Sequence, residues 1–182
     1  MPEAGGGQVA VLHARTASVA ETRELAAVVA ALVSPGDVIV LAGELGAGKT
    51  AFAQGFGAAL GVTEAIVSPT FTIARQYEGR LPLHHLDVYR LEHLSEALDL
   101  GLAEVLDEGG VALIEWGDVI VPVLGTEYLE VRIEYGEGDD DRCFALAAQG
   151  TGWTARGRAL DEALAGWAEA HESGDPSGGA TC

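Results

Sequence analysis

Val38-Ile39-Val40-Leu41-Ala42-Gly43-Glu44-Leu45-Gly46-Ala47-Gly48-Lys49-Thr50 is the stretch that decides the fold. Five apolar residues of buried-strand type run directly into G-x-x-x-x-G-K-[ST], and the residues from about Gly48 to Leu60 read as the helix that this loop opens. Strand, glycine-rich turn and helix in that order make a phosphate-binding loop. The glycines let the backbone curl so that its N–H groups point inward, and the helix N-terminus adds its positive end. Glu44, Leu45, Gly46, Ala47, Gly48, Lys49 and Thr50 are therefore the candidate phosphate cradle. Lys49 reaches for the outer phosphates, and the Thr50 hydroxyl is placed to ligate Mg²⁺. A chain of this composition would match the motif by chance about 0.002 times. Lys49 is also the only lysine present, at a position where a compact ammonium is required and arginine is no substitute.

Outward from the loop, the chain reads as one α/β unit. Val9–Leu12 is a short strand candidate. Ser18-Val19-Ala20-Glu21 has capping-box spacing and opens an apolar helix that runs to about Val33 and closes at Ser34-Pro35-Gly36. Phe71–Tyr77 and Leu83–Val88 read as strands joined by Glu78-Gly79-Arg80, Ser95–Leu106 as short helices, and Val111–Trp116 as another buried strand. Tyr128–Tyr135 and Arg142–Ala148 alternate about an acidic turn, which predicts an antiparallel hairpin. Arg158–His171 predicts a last amphipathic helix through Leu160, Leu164 and Trp167. The fold class expected is a P-loop NTPase α/β fold. Its sheet would be mixed but mostly parallel, with helices on both faces and the hairpin at its edge. Residues 1–8 and 172–182, rich in Gly, Pro and small polar residues, read as flexible ends around a single domain over 9–171.

Composition narrows the function classes. At 182 residues and 48% hydrophobic, the chain suffices for one well-packed core. A net charge of -18 repels phosphate backbones and argues against stand-alone tRNA or DNA binding. Cys143 and Cys182 are too few for a disulfide framework and lack metal-ligand spacing. No apolar run is long enough to span a membrane, and no basic residue precedes the first apolar stretch as in a signal peptide. A cytoplasmic protein is expected.

A P-loop nucleoside triphosphatase needs a second carboxylate directed at Mg²⁺ and a group that positions the attacking water. Val111-Ala112-Leu113-Ile114-Glu115 ends a buried strand on a carboxylate, which makes Glu115 the metal-ligand candidate. Thr70, in Ser68-Pro69-Thr70-Phe71, sits where switch segments lie, although an ordinary Ser-Pro turn explains the spacing equally well. Asp87 is a third candidate, with a salt bridge to Arg90 as the plainer explanation. His85 reads as a hydrogen-bonded structural residue.

GELGAGKT, SPTF, HLDVYR and LIEWGD, in that order and spacing, resemble the TsaE (YjeE) family of small bacterial P-loop ATPases. The resemblance covers about Ser18 to Ile133. It implies ATP and Mg²⁺ as cofactors, with Thr50 and Glu115 holding the metal. It implies that Asp87 is needed for activity, that Thr70 belongs to a switch-like loop beside Lys49 in catalysis, and that Trp116 borders the nucleotide. Residues near the first helix start would hold adenine, which points without a fixed motif to Ser18 and Thr22. The family's frequent second threonine after the loop is Ala51 here, which leaves Thr50 unaffected. The implied function is an ATP-hydrolysing accessory step in making threonylcarbamoyladenosine in tRNA, acting on the TsaD–TsaB complex. Two alternatives come from the residues. A small-molecule kinase would carry an arginine-rich lid, and the nine arginines here are scattered. A Ras-type GTPase needs Asn/Thr-Lys-x-Asp, which a chain with Lys49 as sole lysine lacks.

Overall fold

The structure, a computed structural model, describes residues 11–69, 74–89 and 107–168. Among these, β1 (Val11–Thr16), β2 (Val38–Ala42), β3 (Ala74–Tyr77), β4 (Leu83–Asp87), β5 (Val111–Glu115), β6 (Tyr128–Tyr135) and β7 (Arg142–Gln149) form one sheet. Its order is β1-β7-β6-β2-β5-β4-β3. The four central strands β6, β2, β5 and β4 run parallel, and antiparallel pairs close both sides. The mixed sheet is as expected, with one adjustment. Parallel and antiparallel pairings are equally represented, although β1, β6, β2, β5 and β4 all share one direction, so most strands are parallel and four of them form the continuous centre. The β6–β7 hairpin, however, lies one strand inside the edge, because β1 pairs along the outer side of β7 from Val11↔Ala147 to Thr16↔Arg142. An open β7 would leave a row of N–H and C=O groups unpaired, and β1 satisfies them.

Every residue of β2, β4 and β5 is buried, and β2 and the first four residues of β5 read as unbroken apolar runs for that reason, whereas β4 buries His84, His85 and Asp87 alongside its two leucines. One sheet face carries the larger core, built with α1 (Val19–Ala31) and α2 (Lys49–Ala59) around Leu25, Val29, Phe52, Phe56 and Phe144. On the other face Val40, Leu86, Ile114 and Tyr128 pack beneath Ile120, a 3-10 turn at Gly117–Val119 and α3 (Val121–Leu124). The cap of α1 follows the sequence: Ser18 Oγ accepts from the Glu21 N–H at 3.2 Å. Glu21 reaches back to the Ala17 N–H at 2.8 Å, one residue before the usual donor of a capping box.

The C-terminal part departs from expectation. A helix α4 (Gly150–Ala155) precedes α5 (Gly157–Leu164), which buries Leu160 and Leu164 but stops there. Beyond it the chain turns back onto β1: Trp167 C=O accepts from the Arg15 N–H at 2.8 Å, and Ala168 bridges Ala14. Arg156 staples this region to the sheet, holding both carboxylate oxygens of Asp37 while its guanidinium lies 3.9 Å above the Trp153 ring. The expectations for residues 1–10, Thr70 to Ile73, Arg90, the helices over Ser95–Leu106 and the tail from 169 onward lie outside the described residues.

Candidate functional site

Parallel strands end on one edge of the sheet, and ligands of open α/β sheets bind along that edge. β2 delivers the loop Gly43–Gly48 there. In register beside it, Leu41 pairs with Glu115 and Glu115 with Asp87, so the two carboxylates stand on adjacent strand ends. Leu45, Gly46, Gly48, Lys49, Thr50, Ala51, Ser68, Asp87, Tyr89, Glu115 and Trp116 line a cleft of about 490 Å³ at this edge. The loop and both carboxylates named from the sequence therefore come together in one place.

Lys49 is 5% exposed, with Nζ donating to the carbonyls of Gly43 at 2.8 Å and Glu44 at 2.7 Å. The Trp116 ring covers it from the other side, 3.8 Å from Nζ to the ring centroid, and Tyr89 packs on Trp116 at 4.7 Å. Burial pulls the Lys49 ammonium below the usual lysine range, against the opposing pull of Glu115, Asp87 and Asp118. Trp116 has φ 61°, and it is the one non-glycine with positive φ among the described residues. A bulky residue held there costs about 1–3 kcal/mol, of the same order as the ~0.5–2 kcal/mol of a cation–π contact. The turn aims the indole back over the loop.

Thr50 Oγ1 stands 3.4 Å from Glu115 Oε1, a long contact between two hard oxygens. Mg²⁺ is held by one or two protein oxygens together with phosphate oxygens and waters, so this hydroxyl and carboxylate fit such an ion. Glu115 is itself held by His85, whose Nε2 is 2.8 Å from Oε1. Nε2 is the ring nitrogen turned to the carboxylate, and the other, Nδ1, is buried without a partner among the described residues. The structural role expected of His85 is thus specific: it orients the metal-ligand candidate. Asp87 is 7% exposed and bonded through both oxygens, Oδ2 accepting from Ser68 Oγ at 3.0 Å and Oδ1 from the Tyr89 N–H at 3.0 Å.

Not every candidate joins the cleft. Ser18 Oγ serves as the α1 cap, and Thr22 Oγ1 is buried against Thr16 Oγ1 at 2.9 Å. Glu44 and Ala47 belong to the loop but face away from the cleft, Glu44 into a neighbouring groove with Asp118 and Tyr135. Thr70 lies outside the described residues. Of the two arginines that could supply a charge-stabilising finger from within the chain, Arg75 is exposed on the edge strand β3 and does not line the cleft, and Arg90 lies outside the described residues. Sequence reasoning passed over Ser68 as a polar partner and Tyr89 as an aromatic one. Each lay within a quoted motif, but only the fold shows which neighbour it meets.

A family profile described as "Threonylcarbamoyl adenosine biosynthesis protein TsaE" matches residues 16–144, which include the loop, both carboxylates, β6 and the start of β7. The chain belongs to the TsaE family. The TsaE protein of Bacillus subtilis (strain 168), named for tRNA threonylcarbamoyladenosine biosynthesis, is 47% identical over 137 residues, 75% of this chain and 85% of the relative. The TsaE protein of Treponema pallidum is 45% identical over 107 residues, 59% of this chain and 79% of its own length. Among solved structures, the Bacillus subtilis protein YdiB superposes with a TM-score of 0.74 at 39% identity, covering 86% of this chain and 98% of that one. The TsaE match extends past Ile133, where the motif resemblance ended, through the β6–β7 turn.

Proposed function

We propose that this TsaE-family chain is a Mg²⁺-dependent ATPase whose turnover serves the TsaD–TsaB complex in making threonylcarbamoyladenosine in tRNA. The observation that carries the reading is the convergence of Lys49, Thr50 and Glu115 at the end of β2 and β5, with Thr50 Oγ1 and Glu115 Oε1 3.4 Å apart. The N–H groups of the loop and the start of α2 hold the phosphates. Lys49 gives up the Gly43 and Glu44 carbonyls and turns its ammonium to the outer phosphates. Thr50 and Glu115 would hold Mg²⁺, which when bound neutralises charge on the phosphate oxygens. Asp87, fixed through Ser68 and the Tyr89 N–H, orients the attacking water.

Among the described residues lining the cleft, Lys49 is the one cation. Within these residues transition-state charge is incompletely met, as in nucleotide hydrolases that await a partner's arginine, with Arg90 of the chain itself the other candidate source. A protein of net charge -18 would act on the modifying enzyme and leave the tRNA to it, in the cytoplasm and away from membranes. No described helix is long and apolar enough to cross a bilayer. The test is an ATPase assay on the purified chain with and without TsaD–TsaB from the same source. A slow basal rate that rises with the complex is expected. A fast rate indifferent to it overturns the accessory role, and phosphate transfer to an added metabolite would instead favour the small-molecule kinase.

A further inference from the structure

The outer side of the phosphate loop is gripped by the last cross-strand pair of the hairpin. Tyr135 and Arg142 face each other in register where β6 and β7 meet the acidic turn. Tyr135 Oη donates to the Leu45 carbonyl at 2.6 Å, and Arg142 Nε donates to the Ala47 carbonyl at 2.9 Å. The Arg142 guanidinium lies 4.6 Å from the Tyr135 ring centroid, and its Nη1 donates to the carbonyls of Asp139 at 2.9 Å and Asp141 at 2.7 Å in the acidic turn. The approach is close: a Cβ on Gly46 would stand 2.7 Å from Tyr135 Oη, and one on Gly43 2.4 Å from the Ile133 carbonyl. These glycines therefore admit the hairpin as well as the curl of the loop.

A loop that turns its N–H groups inward to an anion must turn carbonyls outward, and outward carbonyls need donors if the curl is to persist without ligand. Two alternate carbonyls, at 45 and 47, have such donors from one rigid strand pair. We infer that Tyr135 and Arg142 are positioning residues for phosphate binding, holding the loop in its anion-receiving curl from behind. The proposal rests on reading this loop as the ATP site. Neither side chain lines the cleft, so neither touches the nucleotide there.

The test measures affinity for a fluorescent ATP analogue and for inorganic tripolyphosphate, alongside the melting temperature of the ligand-free protein. Tyr135→Phe removes one hydroxyl and leaves the ring under Arg142; Arg142→Met removes the donors, and Arg142→Lys restores a charge and one donor. Loss of one bond is expected to weaken both ligands by the same factor, about three- to tenfold, with the melting temperature of Tyr135→Phe unchanged. Arg142→Lys should recover part of what Arg142→Met loses. A purely structural role would lower the melting temperature together with the affinity, and a nucleoside contact would spare tripolyphosphate; either result overturns the proposal. If Arg142→Met fails to fold, Tyr135→Phe decides alone. Equal binding by Tyr135→Phe and the unaltered chain overturns the brace only. An unaltered chain that binds neither ligand, or binds as well after Lys49→Ala, overturns the ATP reading and the brace with it.

Discussion

Glu115 and Asp87 are neighbours in register, yet their surroundings assign them different work. Glu115 faces the Thr50 hydroxyl and is steered by His85, an arrangement for gripping a hard cation. Asp87 is bonded to a serine hydroxyl and a backbone N–H, which fix its plane without a cation. Asp87→Asn preserves size and most hydrogen bonding, so Mg·ATP should bind nearly as before while turnover falls by about a hundredfold or more. Glu115→Gln should lose Mg²⁺-dependent binding as well as turnover. Titrating a fluorescent ATP analogue against each variant with and without Mg²⁺ checks this, and the opposite pattern would reverse the two roles. Removing His85 should weaken Mg²⁺ by about 10- to 100-fold while sparing Mg²⁺-free nucleotide binding.

Elements were legible from sequence where local pattern and burial coincide. β2 and β5 are covered on both faces and announce themselves as apolar runs, while β6 and β7 alternate about a turn made of Gly, Glu and Asp. The phosphate loop was legible because its glycines, lysine and threonine are contiguous. The grip of His85 on Glu115 and of Arg142 on Ala47 was not, because sequence separation hides which strand ends become neighbours. Helix α4 escaped for another reason: Gly-Thr-Gly-Trp-Thr-Ala is a poor helix former, and tertiary contacts hold it. Trp153 is buried beneath Arg156, and the Glu127 carboxylate accepts from the Thr151 and Gly152 N–H groups at the helix start. Those backbone N–H groups hold the Glu127 carboxyl below the usual glutamate range, so its contribution is present at neutral pH and disappears as pH falls through its folded-state value. Glu127→Gln should melt below the unaltered chain at pH 7, and the gap should close in acid below the ordinary glutamate range. A gap independent of pH would show that the carboxylate's charge plays no part.

Across the whole molecule, one short return of the chain has a consequence for solution behaviour. Among the described residues the sheet has two outer strands, β3 over four residues and β1 over six, with Val11 45% exposed. A long bare edge is a growth front for sheet-to-sheet polymerisation. The Trp167 carbonyl and the Ala168 bridge sit on that edge as a stopper, and Trp167 packs on the core that anchors it. A chain ending at His171 should sediment like the full-length protein, whereas one ending at Ala165 should form heavier species as its concentration rises. Equal sedimentation of the two would show that the edge needs no cover. In the intact chain, these few residues stand where a neighbouring sheet would otherwise add its first strand.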